Sequence, residues 1–156
     1  MEDFQQPKPT AKKRPVVLLV VIGIAGFALI VALSLLARNS AFMDYNYALA
    51  IAAKAENFGC PKMIDESTRL DSVKARHDRI YSYYYSFVDM SSEDIENENF
   101  CEDWELSIIE NITAMKEVQE FGKNGVTLTF DIKDKTAEHL CTVTLSPEKY
   151  YKPQSN

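Results

Sequence analysis

The sequence predicts an α+β fold: an N-terminal transmembrane helix followed by an α-β-β-α-β-β domain whose antiparallel sheet is packed by helices. Three observations predict it. Residues 16–37 form a run of 22 residues without a charge. Two later regions alternate apolar and polar residues with period two around short turns, the pattern of half-buried strands. Two others repeat apolar residues at three- and four-residue spacing, the pattern of helices that bury one face. One sheet with helices laid against it is the layer arrangement that buries such faces, and the 119 residues after the apolar run suffice for one small domain.

The first element is the apolar run from Val16 to Ala37. At about 1.5 Å per residue it reaches roughly 33 Å, against a hydrocarbon core of ~30 Å. Pro15 precedes it and Arg38, Asn39 and Ser40 close it, and the run exceeds the ~7–15 apolar residues of a cleavable signal. Lys12, Lys13 and Arg14 against a lone Arg38 place the N-terminus in the cytoplasm by the positive-inside rule. The expected organisation is a basic cytoplasmic tail at 1–15, a single span at 16–37 in contact with the lipid bilayer, and an extracytoplasmic domain at 38–156. Gly23, Ala25, Gly26, Ala28 and Ala32 give the span small residues that let two copies approach as a homodimer.

The stretch 41–58 is rich in alanine and free of Gly and Pro until Gly59 and Pro61, so it reads as a helix ended by those two residues. Phe42, Tyr45, Leu49 and Ala52 or Ala53 share one face. Residues 69–75 and 79–88 form a hairpin turning near His77 and Asp78. Its second strand sends Tyr81, Tyr83, Tyr85 and Phe87 to one side and Ile80, Ser82, Tyr84, Ser86 and Val88 to the other. A helix from about Glu102 to Phe121 carries Trp104, Ile108, Ile112 and Met115 on one stripe. The second hairpin aligns Val126, Leu128, Phe130 and Ile132 on one strand with Cys141, Val143 and Leu145 on the other, turning at Lys133–Thr136.

Charge narrows the partners. Residues 1–37 carry a net +2 and residues 38–156 a net −8. An acidic domain repels phosphate backbones and gains nothing from counterion release, which argues against nucleic-acid binding.

Four constellations carry potential chemistry. Tyr81, Tyr83, Tyr85 and Phe87, left uncovered, would hold an extended peptide, a glycan or a lipid headgroup by stacking and hydroxyl bonds; covered by helices, they are core. Glu93, Asp94, Glu96, Glu98, Glu102, Asp103 and Glu105 concentrate carboxylates without a base among them, but lack the ligand order and glycine of a calcium loop and read as solvated. His77 and His139 are the only histidines, and His139 with Cys141 makes a His-x-Cys step on a strand. Zinc needs three or four such ligands and a nucleophilic thiol needs an oriented base. Of the cysteines, Cys60 follows a helix and Cys101 precedes one, which makes them the expected disulfide, with Cys141 in the core. No phosphate-binding glycine loop, Gly-x-Ser-x-Gly or His-Glu-x-x-His occurs, so no cofactor is expected.

The stretch Cys60-Pro-Lys-Met-Ile-Asp-Glu-Ser-Thr-Arg-Leu-Asp-Ser-Val73 resembles a group of small bacterial proteins, membrane-anchored or exported, with the pattern Cys-Pro-x-x-x-Asp-x-x-Thr-Arg-Leu-Asp-Ser. Tyr83 and Tyr85, Gly125-Val126 and the strand through Val143 follow in the same order, so the resemblance covers about residues 57–147. The group is expected to carry further cysteines where this chain has Thr113 and Tyr150 or Tyr151, so no disulfide transfers from it. The resemblance implies a bacterial chain, here placed at the inner membrane, and adds no activity. Within the motif, Pro61 is expected to stop the first helix, and Arg69 to pair with Asp65 or Asp71. The function expected is a non-enzymatic binding or structural module of the bacterial envelope that engages an envelope protein or a peptide. The alternative is an enzyme or metal protein using His77, His139, Cys141 or the acidic loop.

Overall fold

The computed structural model describes residues 45–95 and 98–153. In chain order the elements are α1 (Tyr45–Asn57), β1 (Lys62–Met63), β2 (Thr68–Arg76), β3 (Ile80–Phe87), α2 (Phe100–Ile112), α3 (Lys116–Lys123), β4 (Thr127–Lys133), β5 (His139–Leu145) and α4 (Pro147–Tyr150), with single 3-10 turns at His77–Arg79 and Ser92–Asp94. The strands form one sheet in the order β1-β2-β3-β4-β5.

Neighbouring strands are antiparallel except at the centre, where β3 and β4 run parallel, with Ile80 beside Thr127 and Ser86 beside Lys133. The expected antiparallel sheet is therefore corrected to a mixed one. The reason lies in the connection: α2 and α3 carry the chain back to the end of the sheet where β3 began, as a helical crossover does. Alternation along a strand has the same period in either orientation, so it carries no sign of the difference.

Residues 16–37, the expected membrane span, lie outside the described residues, and no described helix is long and apolar enough to cross a membrane. The described structure thus contains no span, and the expected fold class and inner-membrane placement are corrected to a mixed-sheet α+β domain. The bilayer contact and helix-pair homodimer expected of that segment have no support among the described residues.

Local chemistry explains the boundaries. The long helix expected over 102–121 is broken between Ile112 and Lys116. There the Thr113 hydroxyl donates back to the Ile109 carbonyl (2.6 Å), and the Gln119 amide donates to the Thr113 and Tyr150 carbonyls (2.9 and 2.8 Å). Side chains that bond backbone in this way compete with helix continuation, and the break turns Val118 and Phe121 onto the sheet. The β2–β3 turn places Asp78 and Arg79 at φ 64° and 57°, the paired left-handed geometry of a tight hairpin. Arg79 is held there by its N–H donating to Asn46 Oδ1 (3.1 Å) and its guanidinium to the Asn124 carbonyl (2.6 Å).

The described helices cover one face of the sheet only. Leu49, Ala52 and Ala53 of α1, Trp104, Ile108 and Ile112 of α2, and Val118 and Phe121 of α3 bury themselves with Leu70, Val73, Leu128, Phe130, Ile132, Val143 and Leu145. Tyr150 closes the core by donating its hydroxyl to the Val126 carbonyl (2.5 Å). Fully burying such side chains is worth about 1.5–3 kcal/mol each, which is the main force holding the layers together.

Candidate functional site

The Tyr81, Tyr83, Tyr85 and Phe87 face is the inner, helix-covered face. None of the four is more than 6% exposed. Tyr83 is stacked on Phe130 and Tyr85 with centroids 5.3 and 6.3 Å apart, Tyr81 meets Phe121 at 5.2 Å, and Phe87 meets Trp104 at 5.8 Å. A partner cannot reach these rings in the folded domain, so the structure places the candidate binding residues in the core.

Their polar ends create an internal cluster that the sequence reading missed. Glu56 on α1 is only 3% exposed. Its Oε2 accepts from the Tyr81 hydroxyl (2.8 Å), whereas Oε1 has no partner. Burial raises its carboxyl from 4.5 to about 6, against the opposing pull of the Tyr81 bond and of Lys62. Burial, with Glu56 next, also drives the Tyr81, Tyr83 and Tyr85 hydroxyls above their ordinary range, so all three stay neutral. The signal was present: the stripe Leu49, Ala52, Ala53 continues at helical spacing onto Glu56.

The opposite face is polar, and no described helix packs on it. Strand register sets its rows: Lys74, Ser82, Thr129 and Thr144; Ser72, Tyr84, Asp131 and Thr142; Arg69, Ser86, Lys133 and His139. Thr129 donates its hydroxyl to Ser82 (2.7 Å), and Asp71 accepts from Arg69 and Ser86 (2.5 Å each). Thr142 donates to Asp131 (3.2 Å). Tyr84 lies between two cations, with the Arg76 guanidinium donating to its hydroxyl (2.8 Å) and the Lys74 ammonium 5.0 Å from its ring centre. Ser82, Tyr84 and Ser86 are the period-two partners of the tyrosine face, so sequence alternation already separated them from it.

The remaining candidates are not assembled. His77 sits at the β2–β3 turn and His139 at the start of β5, which is the opposite end of the sheet, roughly 20 Å away along a strand of this length. A register shift between Ile132 and Lys133 sets His139 beside Lys133 on the outer face and Cys141 beside Ile132 on the inner one, so the His-x-Cys pair is split across the sheet. His139 instead meets Thr142 (2.9 Å) and Asp131 (3.7 Å). In the acidic region Asp94 binds Ser91 and Lys135, and Glu105 pairs with Lys149; Glu96 lies outside the described residues. No group of three or more His, Cys, Asp or Glu among the described residues is placed to hold a metal ion.

The three cysteines are free thiols. Cys60 donates to the Glu56 carbonyl (3.5 Å) beside the β1 edge, whereas Cys101 lies against the Leu140 carbonyl (3.9 Å) on β5, the other edge strand. The two thiols thus meet different edges of the sheet, and both are free. The structure therefore does not bring the expected Cys60–Cys101 pair together.

The Cys60–Val73 motif has a structural job. Asp65 Oδ1 accepts from the Ser67 and Thr68 N–H groups (2.7 Å each), shaping the turn from β1 into β2. Arg69 pairs with Asp71. The Asn57 side chain joins the Val73 backbone in both directions (2.5 and 2.7 Å), fixing α1 to β2.

Solved structures with a similar fold come from bacteria. A candidate secreted protein from Pseudomonas aeruginosa is 15% identical with a TM-score of 0.56, covering 67% of this chain and 90% of its own. The pilotin EpsS of the Vibrio vulnificus type 2 secretion system is 8% identical with a TM-score of 0.56, over 70% and 93% of the two chains. The type II secretion pilotin AspS from Vibrio cholerae is 12% identical with a TM-score of 0.53, over 76% and 98%. At these identities the likeness is one of fold. No curated protein matches the sequence. The profile that does match spans residues 45–141, from α1 through the first half of β5, and on that match the chain belongs to the family described as Domain of unknown function (DUF8479).

Proposed function

We propose that the domain is a non-enzymatic binding module of the bacterial envelope, and that it engages a protein partner through the outer sheet face. The observation that carries this reading is the asymmetry of the sheet. Its inner face is filled by helices, while the outer face holds an ordered lattice of hydroxyls, bases and the Asp71 and Asp131 carboxylates around Tyr84 that no described helix covers. Lys74 and Arg76 lean on Tyr84 rather than on a carboxylate, so the face suits an extended segment bearing acidic and hydroxyl side chains. The fold likeness to pilotins of type II secretion systems and to a candidate secreted protein supports the envelope setting. So does the resemblance of the Cys60–Val73 stretch to small bacterial proteins that are membrane-anchored or exported.

A photo-crosslinking residue in place of Tyr84, expressed in the native envelope, tests this. A discrete adduct is expected at position 84, absent from a control at Glu110 on the helical side and lost in a Lys74→Glu, Arg76→Glu background. Equal adducts at both positions, or none at 84, would overturn it.

A further inference from the structure

We propose that Cys101 and Cys141 form a disulfide in an oxidising compartment, locking the first turn of α2 to the edge strand β5. The placement carries the inference. Cys101 is half-buried in the first turn of α2, with its sulfur 3.9 Å from the carbonyl of Leu140, the residue immediately before Cys141. Cys141 points inward from β5 and is 6% exposed, among Ile132, Val143 and the α2 side chains. The α2–β5 contact thus brings Cys101 and Cys141 to the same junction. Cys60 is held at the far side of the sheet by Glu56 and is left over.

Exposure also sets the order of events. Burial, reinforced by Cys101, raises the Cys141 thiol, which therefore stays protonated until its partner has reacted. The oxidant required is a disulfide, either a small-molecule disulfide or that of an oxidoreductase. The Cys101 thiolate attacks one of its sulfurs, breaking the oxidant's S–S bond, forming a mixed disulfide and releasing one thiol. Cys141 then loses its proton and attacks Cys101 Sγ, which forms the intramolecular S–S bond and expels the second thiol. Two S–H bonds are lost, one S–S bond is made, and the oxidant leaves as two thiols. The pairing rests on a different part of the molecule from the outer face, so either can fail without the other.

The test is to equilibrate the full chain with glutathione disulfide, alkylate the remaining thiols and map the peptides. The expected result is a mass loss of about 2 Da before alkylation, from two hydrogens, with only Cys60 alkylated. A rise in Tm of about 5–15 °C should accompany it and reverse with reductant. Cys60→Ser should leave the bridge intact and Cys101→Ser should abolish it; because Cys101 is the less buried partner, that variant still folds. Three alkylated cysteines in the wild type, or a bridge containing Cys60, would overturn the proposal.

Discussion

Replacing Glu56 by Gln changes one charge in the core and little else, and the structure fixes the sign of the effect. The Glu56 carboxyl titrates at about 6 in the folded domain against 4.5 in the ordinary case, chiefly because it is buried and one of its oxygens has no partner. Between those values the folded chain holds a proton that the unfolded chain has released. The stabilising contribution is therefore complete below about pH 4.5 and is lost as the pH rises through 6. The difference corresponds to about 2 kcal/mol, a sizeable fraction of the ~5–15 kcal/mol that holds a typical domain together. Glu56→Gln keeps an acceptor for the Tyr81 hydroxyl and has nothing to titrate. Urea unfolding of both proteins at pH 4, 5, 6 and 7 should show the variant gaining on the wild type by about 2 kcal/mol across the series. Tyr81→Phe removes a bond that favours the ionised form and should move the loss to lower stability over a window extending above pH 6. Parallel wild-type and Gln profiles would refute the reasoning, as would a wild type that gains on the variant with rising pH.

Three further outcomes are expected. Tyr83→Ala, which empties a site stacked between Phe130 and Tyr85, should cost about 3–5 kcal/mol by chemical denaturation, whereas Tyr84→Ala on the outer face should cost under about 1 kcal/mol. Gly122→Ala should lower Tm, because an added Cβ would lie 2.4 Å from Tyr151 Cβ, with the backbone-bound Tyr151 stem unable to swing clear; a variant melting with the wild type would reject that close approach. Asp134 collects bonds from Thr136, Glu138 and Ser92 around the β4–β5 turn. Burial opposes ionisation there, but these bonds outweigh it and hold the carboxyl below its usual value. Its contribution is thus present above the ordinary carboxylate range and lost as the pH falls through the lowered value. Asp134→Asn should melt at lower temperature at pH 7 and converge on the wild type as the pH is taken below the ordinary carboxylate range.

The residues that name their own surroundings were legible in the sequence. The apolar stripe of α2, the two faces of β3 and the alternation through β4 and β5 all follow from period, and the helix-covered core repeats them. What depends on residues distant in sequence was not. The parallel centre of the sheet is decided by where the crossover returns, and the break at Thr113 by Gln119 and the Tyr150 carbonyl. The bulge that separates His139 from Cys141 interrupts the alternation at one residue, Leu140, which looks like any other strand residue. Glu56 is the instructive case: its position on the buried stripe was readable, but that a tyrosine hydroxyl from another element would meet it was not.

The parallel β3–β4 pairing has a kinetic consequence. The two hairpins close locally, but the central seam joins residues 47 apart in sequence, as Ser82 and Thr129 are. Loop closure of that length must precede any return from the seam. Folding is then the docking of an N-terminal unit, α1 with β1–β3, onto a C-terminal hairpin, with α2 and α3 as the tether. The same division predicts that two separately expressed fragments, cut in the loop before α2, reassemble across that seam, since the pairing in each hairpin is complete without the other.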